Sequence, residues 1–234
     1  WWEVGPDRIA FGCRDGEEAK GAGRRWFPYM KGGGYCQWYG SRENVVNWYN
    51  DGVEIRNFYT ASGRLASRPQ NTDYYFLEGV TLSLRGTDGL SGRLMPSGCI
   101  FDVAGSSVFA PHSSDMQIYL GVLNSRIARY VFDLLNPTFN TQIGDLIRLP
   151  MPIGRSDQLR TAVRRTVWMA EYSSLANDAA FEFIVPSVLA ARHFPDSSRC
   201  AEYADLEASV AALYGLGSDD WREIVEEDES QRLG

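Results

Sequence analysis

Amide, guanidinium and aromatic side chains are interleaved between residues 31 and 110, and few acidic residues lie among them. Arginine can donate two hydrogen bonds to guanine, and asparagine or glutamine can pair in a similar way with adenine. Aromatic rings supply flat faces on which a base or a sugar can stack. This combination predicts a surface that reads a polar, flat-faced ligand. Nucleic acid is the first candidate for that ligand, and a carbohydrate is the second.

Ten polar residues of this region lie at predicted turns or strand ends, and we predict that they contact nucleic acid. They are Lys31, Gln37, Arg42, Asn50, Arg64, Arg68, Gln70, Asn71, Arg85 and Arg93. Seven neighbouring aromatic residues are expected to divide about equally between the core and the surface. They are Trp38, Tyr39, Trp48, Tyr49, Tyr59, Tyr74 and Tyr75.

Residues that carry covalent or metal chemistry are sparse. The cysteines and histidines are Cys13, Cys36, Cys99, Cys200, His112 and His193. They form no CxxC pair and no cluster at metal-ligand spacing, so we expect no metal site and reduced thiols. No GxSxG sequence occurs, and neither histidine has the context of a catalytic triad. The sequence therefore predicts no catalytic centre in this chain.

Charge is distributed unevenly along the 234 residues, whose formal net charge is −7. Residues 196–234 hold 11 acidic and 3 basic residues, whereas residues 1–195 hold 19 acidic and 20 basic ones. A near-neutral body can carry a local basic face even though the whole chain is acidic. The sequence shows neither a run of 18 apolar residues nor a signal pattern, so we expect a cytoplasmic protein that does not contact a membrane. Because the chain begins at Trp1, we expect it to be a piece of a longer protein.

Periodicity divides the chain into three predicted parts. They are an irregular N-terminal segment over 1–30, a recognition domain over 31–153, and a helical C-terminal extension with an acidic end over 154–234. The predicted fold class is α+β, with a mixed twisted β-sheet, one packed helix and the helical extension.

Turn residues and apolar spacing predict the individual elements. Strands are expected over 45–49, 53–58, 74–84, 99–103 and 145–149. The Asn50-Asp51-Gly52 sequence is interpreted as the hairpin turn between the first two strands. One helix is expected from Ser114 to Asn136, and others from Ser156, over 203–213 with Gly215 as the stop, and from Ser218.

Several long stretches carry a resemblance to a known family. They read KGGGYCQWYG, VVNWYNDGVEIRNF, SRPQNTDYYFLEGVTLS, GRLMPSGCIFDVAGSSVF and LNPTFNTQIGDLIRLPMP. This pattern resembles the C-terminal target-recognition, or specificity, region of the PglX adenine-specific DNA methyltransferases of BREX phage-defence systems. More distantly, residues 123–152 resemble the end of the recognition domains in TaqI-like methyltransferases and type I restriction specificity subunits.

The resemblance implies a parent enzyme that methylates adenine N6 at a short DNA site, with the base flipped into an N-terminal catalytic domain. S-adenosylmethionine would bind in that domain, and no cofactor is expected in this chain. The implied partners are double-stranded DNA, the methyltransferase domain of the same polypeptide and other phage-defence proteins. Lysine and arginine would bind phosphates, whereas asparagine, glutamine and selected arginines would read base edges.

Two other functions remain open at the level of sequence. A carbohydrate-binding module would use the same Trp, Tyr and Asn side chains. A protein-interaction scaffold would centre on the C-terminal helices.

Overall fold

The computed structural model describes residues 3–83, 89–136, 143–152, 154–184 and 196–233, the last range with side chains only over 201–227. The described strands are β1 (Trp26–Met30), β2 (Asn44–Asn47), β3 (Gly79–Leu82), β4 (Gly92–Met95), β5 (Ile100–Phe101) and β6 (Ser107–Val108). The described helices are α1 (Gly16–Gly21), α2 (Tyr49–Arg56), α3 (Met116–Leu123), α4 (Arg126–Leu135), α5 (Ile143–Arg148), α6 (Asp157–Ser174), α7 (Asp196–Tyr214) and α8 (Ser218–Leu233). This content confirms the predicted α+β class.

The strands form two small sheets. The first has the order β2-β1-β5, with β1 antiparallel to β2 and parallel to β5. The second has the order β4-β3-β6 and is antiparallel throughout. All four residues of β3 are buried, as expected for the central strand of a sheet that is covered on both faces.

The second sheet shares its core with the helices that follow it. One apolar cluster joins Val80 and Leu82 of β3 to Leu120 of α3, Val163 of α6 and Val210 of α7. Helices α6 and α7 thus pack on the same core as the sheet. The helices predicted from Ser156, over 203–213 and from Ser218 are confirmed as α6, α7 and α8. No helix in the described ranges is long and apolar enough to span a membrane.

The single helix predicted from Ser114 is wrong, because two helices meet at a break. Helix α3 ends at Leu123 with Asn124 as its C-cap, and the Ser125 hydroxyl accepts a hydrogen bond from the backbone N–H of Ala128 to cap α4. The Asn124 side chain instead binds both backbone groups of Gly92 in β4, at 2.8 Å each. This tertiary contact holds Asn124 at the break between the two helices. The spacing of apolar residues continues through the break, and for that reason it predicted one helix.

The predicted hairpin at Asn50-Asp51-Gly52 is also wrong. These residues have φ values of 46°, 60° and 69°, and the backbone N–H of Gly52 donates to Trp48 O. Asn, Asp and Gly are the residues that best tolerate this left-handed conformation. The turn leads from β2 into a right-handed helical turn rather than into a second strand. A side chain at position 52 would meet the Trp48 ring at 2.5 Å, which is a further reason for glycine there.

Two further expectations differ from the structure. Residues 145–149, predicted as a strand, lie in and directly after α5, in which Ile143 and Ile147 share one face at helical spacing. Residues 1–30, predicted as irregular, contain α1 and β1, and β1 is the central strand of the first sheet. The glycines at positions 12, 16, 21 and 23 suggested an irregular segment, and β1 also contains Pro28, a residue that is uncommon within strands.

Candidate nucleic-acid interface

A short two-stranded ribbon over residues 58–66 projects between α2 and β3. Tyr59 and Leu65 form an antiparallel bridge, and the N–H of Ala66 donates to Phe58 O at 2.8 Å. At the tip, the N–H of Thr60 donates to Arg64 O at 2.8 Å. The Thr60 hydroxyl in turn accepts from the Arg64 N–H at 3.1 Å. Backbone and side-chain hydrogen bonds therefore both close the ribbon, which we call the 58–66 ribbon.

The outer surface of this ribbon is apolar and basic. Phe58 is 60%, Tyr59 56% and Leu65 43% exposed, and Arg64 is exposed at the tip. In soluble proteins, adjacent large exposed apolar groups are typical of a binding surface.

From the ribbon the chain continues along the rim of a cleft. Arg68, Gln70 and Asn71 are exposed there, and all three line the cleft. Asn71 has a left-handed backbone (φ 55°), and its carbonyl accepts from the N–H of Tyr74 at 3.0 Å. The half-exposed Tyr74 follows this turn and lines the same cleft as the three polar side chains.

The cleft has a volume of about 810 Å³ and lies between the two sheets and α5. The first sheet contributes Tyr29 and Ile100, the second contributes Leu82 and Val108, and α5 contributes Leu146. Apolar clefts of this size that carry a few polar groups are the usual form of a ligand site.

A row of aromatic rings lines the cleft. Trp48, Tyr75, Phe101, Phe109 and Tyr74 follow one another with centroid separations of 5.0, 5.2, 5.6 and 4.9 Å. Trp48 and Tyr75 are buried, so the row extends from the core of the first sheet to the surface at Tyr74. Tilted and edge-on pairs at such distances stabilise the arrangement beyond simple burial.

One carboxylate lies in the cleft. Asp102 accepts hydrogen bonds from the backbone N–H groups of Gly105 at 2.8 Å and Gly32 at 3.4 Å. Burial, and then the adjacent Asp102 carboxylate, raise the pKa of the Tyr29 phenol. The phenol, which is protonated at neutral pH like any tyrosine, donates a hydrogen bond to Asp102. This carboxylate is thus engaged in holding the loops together.

The segment that includes the ribbon and the rim is basic. Residues 55–72 contain three arginines and no Asp or Glu. Arg56 binds Asp51 and lies over the Trp48 ring at 5.3 Å. Arg64 and Arg68 lie within 4.0 Å of no carboxylate in the described part of the chain, so both are available to an anionic partner.

Two arginines that were predicted to contact nucleic acid lie in the interior. Arg93 has no exposed surface; it donates to Ser83 Oγ at 2.9 Å and to Lys31 O at 3.3 Å, and burial lowers the pKa of its guanidinium. Arg42 is 7% exposed and binds Glu182 at 2.9 Å. The expectation that these two side chains are presented at the surface is corrected, because each guanidinium is buried against groups from other segments of the chain.

The other predicted residues are scattered. Lys31 and Asn50 are exposed, the latter in the left-handed turn before Val53, and neither lines the cleft. Gln37 is half-buried, and its amide donates to Asn124 O at 3.5 Å. Arg85 lies outside the described residues. Thus the structure brings together four of the ten predicted residues on the ribbon and rim, namely Arg64, Arg68, Gln70 and Asn71.

The aromatic residues divide as the sequence predicts. Trp38, Tyr39, Trp48 and Tyr75 are buried, and Tyr49, Tyr59 and Tyr74 are about half exposed. Sequence reasoning did not select Phe58, Phe109 or the exposed Ile147 of α5 as parts of the surface. The i, i+4 spacing of Ile143 and Ile147 was the available signal for α5. The contact between the Phe109 and Tyr74 rings could not be predicted from the sequence near either residue.

Cysteine and carboxylate groups do not assemble into a metal centre in the described ranges, where no three His, Cys, Asp or Glu side chains come together as a ligand set. Cys13, Cys36 and Cys99 are free thiols.

Comparison with known proteins finds similarity to two adenine-specific methyltransferases. No family model matches it. It is 32% identical over 169 residues to the adenine-specific methyltransferase BrxX of Escherichia coli O9:H4 (strain HS), a match that covers 71% of this chain and 13% of that protein. It is 36% identical over 137 residues to the adenine-specific methyltransferase PglX of Lacticaseibacillus casei (strain Zhang), covering 58% of this chain and 11% of that protein. The matched segment is thus a small fraction of each relative's length, and the matches support a relationship to this family.

Proposed function

We propose that this chain is the DNA-recognition module of a site-specific adenine-N6 methyltransferase that uses S-adenosylmethionine. The catalytic domain and its cofactor site would lie elsewhere in the same polypeptide. In this proposal the module selects the DNA site, and the parent enzyme belongs to a phage-defence system. The similarity to two adenine-specific methyltransferases supports the enzymatic context.

The single observation that carries the DNA-binding role is the basic segment over residues 55–72. It has no acidic residue, and it presents Arg64 and Arg68 on the surface of a chain whose net charge is −7. Gln70 and Asn71 lie beside Arg68 on the rim, where amides suited to adenine adjoin a guanidinium suited to phosphate or guanine. The flat Tyr74 ring adjoins them.

The remaining charges are compatible with this assignment. Asp102 is occupied by backbone N–H groups and the Tyr29 phenol, and Asp51 binds Arg56. The acidic C-terminal helix α8 packs against α4, and over 218–227, where its side chains are described, no residue lines the cleft. Asp73, which is exposed beside Tyr74, is the one acidic residue of 55–74, and the three arginines leave that segment with a net charge of +2. DNA on the ribbon and rim would therefore meet a locally positive surface.

The test is fluorescence anisotropy of the chain with a mixed-sequence DNA duplex from about 50 to 200 mM salt. Phosphate binding makes log K fall linearly with log salt, with a slope of about −0.9 for each neutralised phosphate. If Arg64 and Arg68 each bind one phosphate, the double variant R64A/R68A should have a slope that is shallower by about 1.8. The matched control is R164A, which removes an exposed arginine from α6, a helix that contributes nothing to the cleft.

Each outcome decides a different point. A shallower slope in the double variant and an unchanged slope in R164A would support the proposal. Equal slopes in all three proteins would show that the basic segment does not contact DNA. Failure of the folded wild-type chain to bind at the lowest salt would refute DNA recognition by this chain.

A further inference from the structure

The 58–66 ribbon carries more exposed apolar surface than phosphate binding requires. Phe58, Tyr59 and Leu65 are each between 43% and 60% exposed, although they lie within eight residues of one another. Of these groups only the Tyr59 hydroxyl can hydrogen-bond to a phosphate or a base edge, and the rings and the Leu65 side chain cannot. Their exposure therefore indicates a contact with a flat or apolar part of the partner.

The segments that come before and after the ribbon are each held in position. At its start, the Asn57 amide donates to Val53 O of α2 at 2.8 Å, and Arg56 is fixed by Asp51 and the Trp48 ring. After it, the rim turn at Asn71 packs Tyr74 against Phe109 at 4.9 Å. The tip is closed by the Thr60 and Arg64 hydrogen bonds described above. Such an element presents its side chains without a large loss of conformational entropy on binding.

The positive charge of residues 55–72 favours DNA over a protein as the partner of the ribbon. A protein surface suited to exposed Phe, Tyr and Leu needs no particular charge, whereas residues 55–72 combine them with arginines and exclude every acid. DNA offers both complements at once, because anionic phosphates flank a stack of flat apolar bases. Proteins that bend DNA insert apolar side chains between base steps in this way, and basic residues hold the flanking backbone.

We propose that the 58–66 ribbon is a wedge that inserts Phe58 or Tyr59 between base pairs and bends the DNA, with Arg64 and Arg68 holding the phosphates beside the kink. This inference rests on the proposed DNA-binding function. The wedge means that the chain binds a bent duplex. Its affinity for a given DNA sequence then depends partly on how easily a base step of that sequence unstacks.

The test measures bending and affinity separately on one end-labelled, mixed-sequence duplex. Fluorescence energy transfer between the ends reports bending, and anisotropy across the same salt series reports affinity and phosphate contacts. The wild-type chain should shorten the end-to-end distance. The variant F58A/Y59A should leave the duplex straight and bind about 5- to 150-fold more weakly, which is the range for loss of one aromatic–base stacking contact. Its salt slope should be unchanged, because both arginines remain.

Two controls separate the wedge from nonspecific loss of structure. Trp168→Ala removes an exposed aromatic side chain from α6, and it should bend and bind DNA as the wild type does. The conservative Tyr59→Phe variant keeps the ring and should also retain bending. Far-UV circular dichroism of each variant confirms that it is folded.

The outcomes distinguish failure of the wedge from failure of the proposed function. Salt-dependent binding by a wild-type chain that does not bend the duplex would overturn the wedge and leave DNA recognition standing. Equal bending by F58A/Y59A and by the wild type would also overturn the wedge and leave DNA recognition standing. Loss of concentration-dependent self-association in F58A/Y59A, with DNA bending intact, would assign the ribbon to protein contact. No DNA binding by the folded chain would overturn both proposals.

Discussion

Replacing Glu182 by glutamine should destabilise the fold through the arginine that it leaves behind. Arg42 Nη2 lies 2.9 Å from Glu182 Oε1, and the side chains are 7% and 19% exposed. The Tyr39 hydroxyl donates to the same carboxylate, and the Arg42 guanidinium lies 4.7 Å from the centre of the Phe181 ring. Glu182→Gln keeps the shape of the side chain and removes only its charge.

The expected cost follows from the burial of the pair. Removing one partner of a fully buried ion pair costs about 3–5 kcal/mol, because the other charge stays desolvated without compensation. Glu182 retains some contact with water, so we expect about 2–4 kcal/mol for this variant. For a chain of this length that loss lowers Tm by roughly 5–15 °C.

The assay is urea and thermal unfolding followed by circular dichroism, with Glu54→Gln as the matched control. Glu54 pairs with Arg25 at the surface, where both side chains are about half exposed, and such pairs contribute about 0–1 kcal/mol. The double variant R42M/E182Q removes the stranded charge, so it should be more stable than E182Q alone. If E182Q lost no more stability than E54Q, the Arg42–Glu182 pair would not anchor residues 181–182 to the first part of the chain.

Three further predictions follow from individual contacts. Asn124→Ala removes two hydrogen bonds to the buried Gly92 backbone and should cost about 2–4 kcal/mol of unfolding free energy, measured by urea denaturation. Gly52→Ala should cost more than 1 kcal/mol in the same assay, since it adds a Cβ at a φ of 69° and 2.5 Å from the Trp48 ring; no loss would show that the turn adopts another conformation. Burial raises the pKa of Tyr214 to about 12, so its neutral form stabilises the fold below pH 10 and that contribution is lost as the pH rises towards 12. Tyr214→Phe should therefore lose stability less steeply than the wild type between pH 10 and 12, and identical pH profiles would contradict this assignment.

The sequence by itself determined the features whose signals are local. The apolar spacing after Ser156 and the serine cap specify α6, and the same spacing with Gly215 as a stop specifies α7. The basic character of residues 55–72 and the presence of arginines, amides and aromatics there are also written directly in the sequence. For that reason Arg64, Arg68, Gln70 and Asn71 could be selected as candidate contacts before the fold was known.

Only the tertiary structure decided which of the candidate residues reach the surface. Arg93 and Arg64 are the same residue type in similar local settings, yet Arg93 has no exposed surface and Arg64 lies at the tip of the ribbon. The difference arises because Ser83 and the Lys31 carbonyl, which are distant in sequence, converge on the Arg93 guanidinium. Likewise, Arg42 is buried because its guanidinium binds Glu182, which lies 140 residues later in the chain. A charge can be buried only where partners from other parts of the folded chain bind it, and the local sequence does not identify those partners.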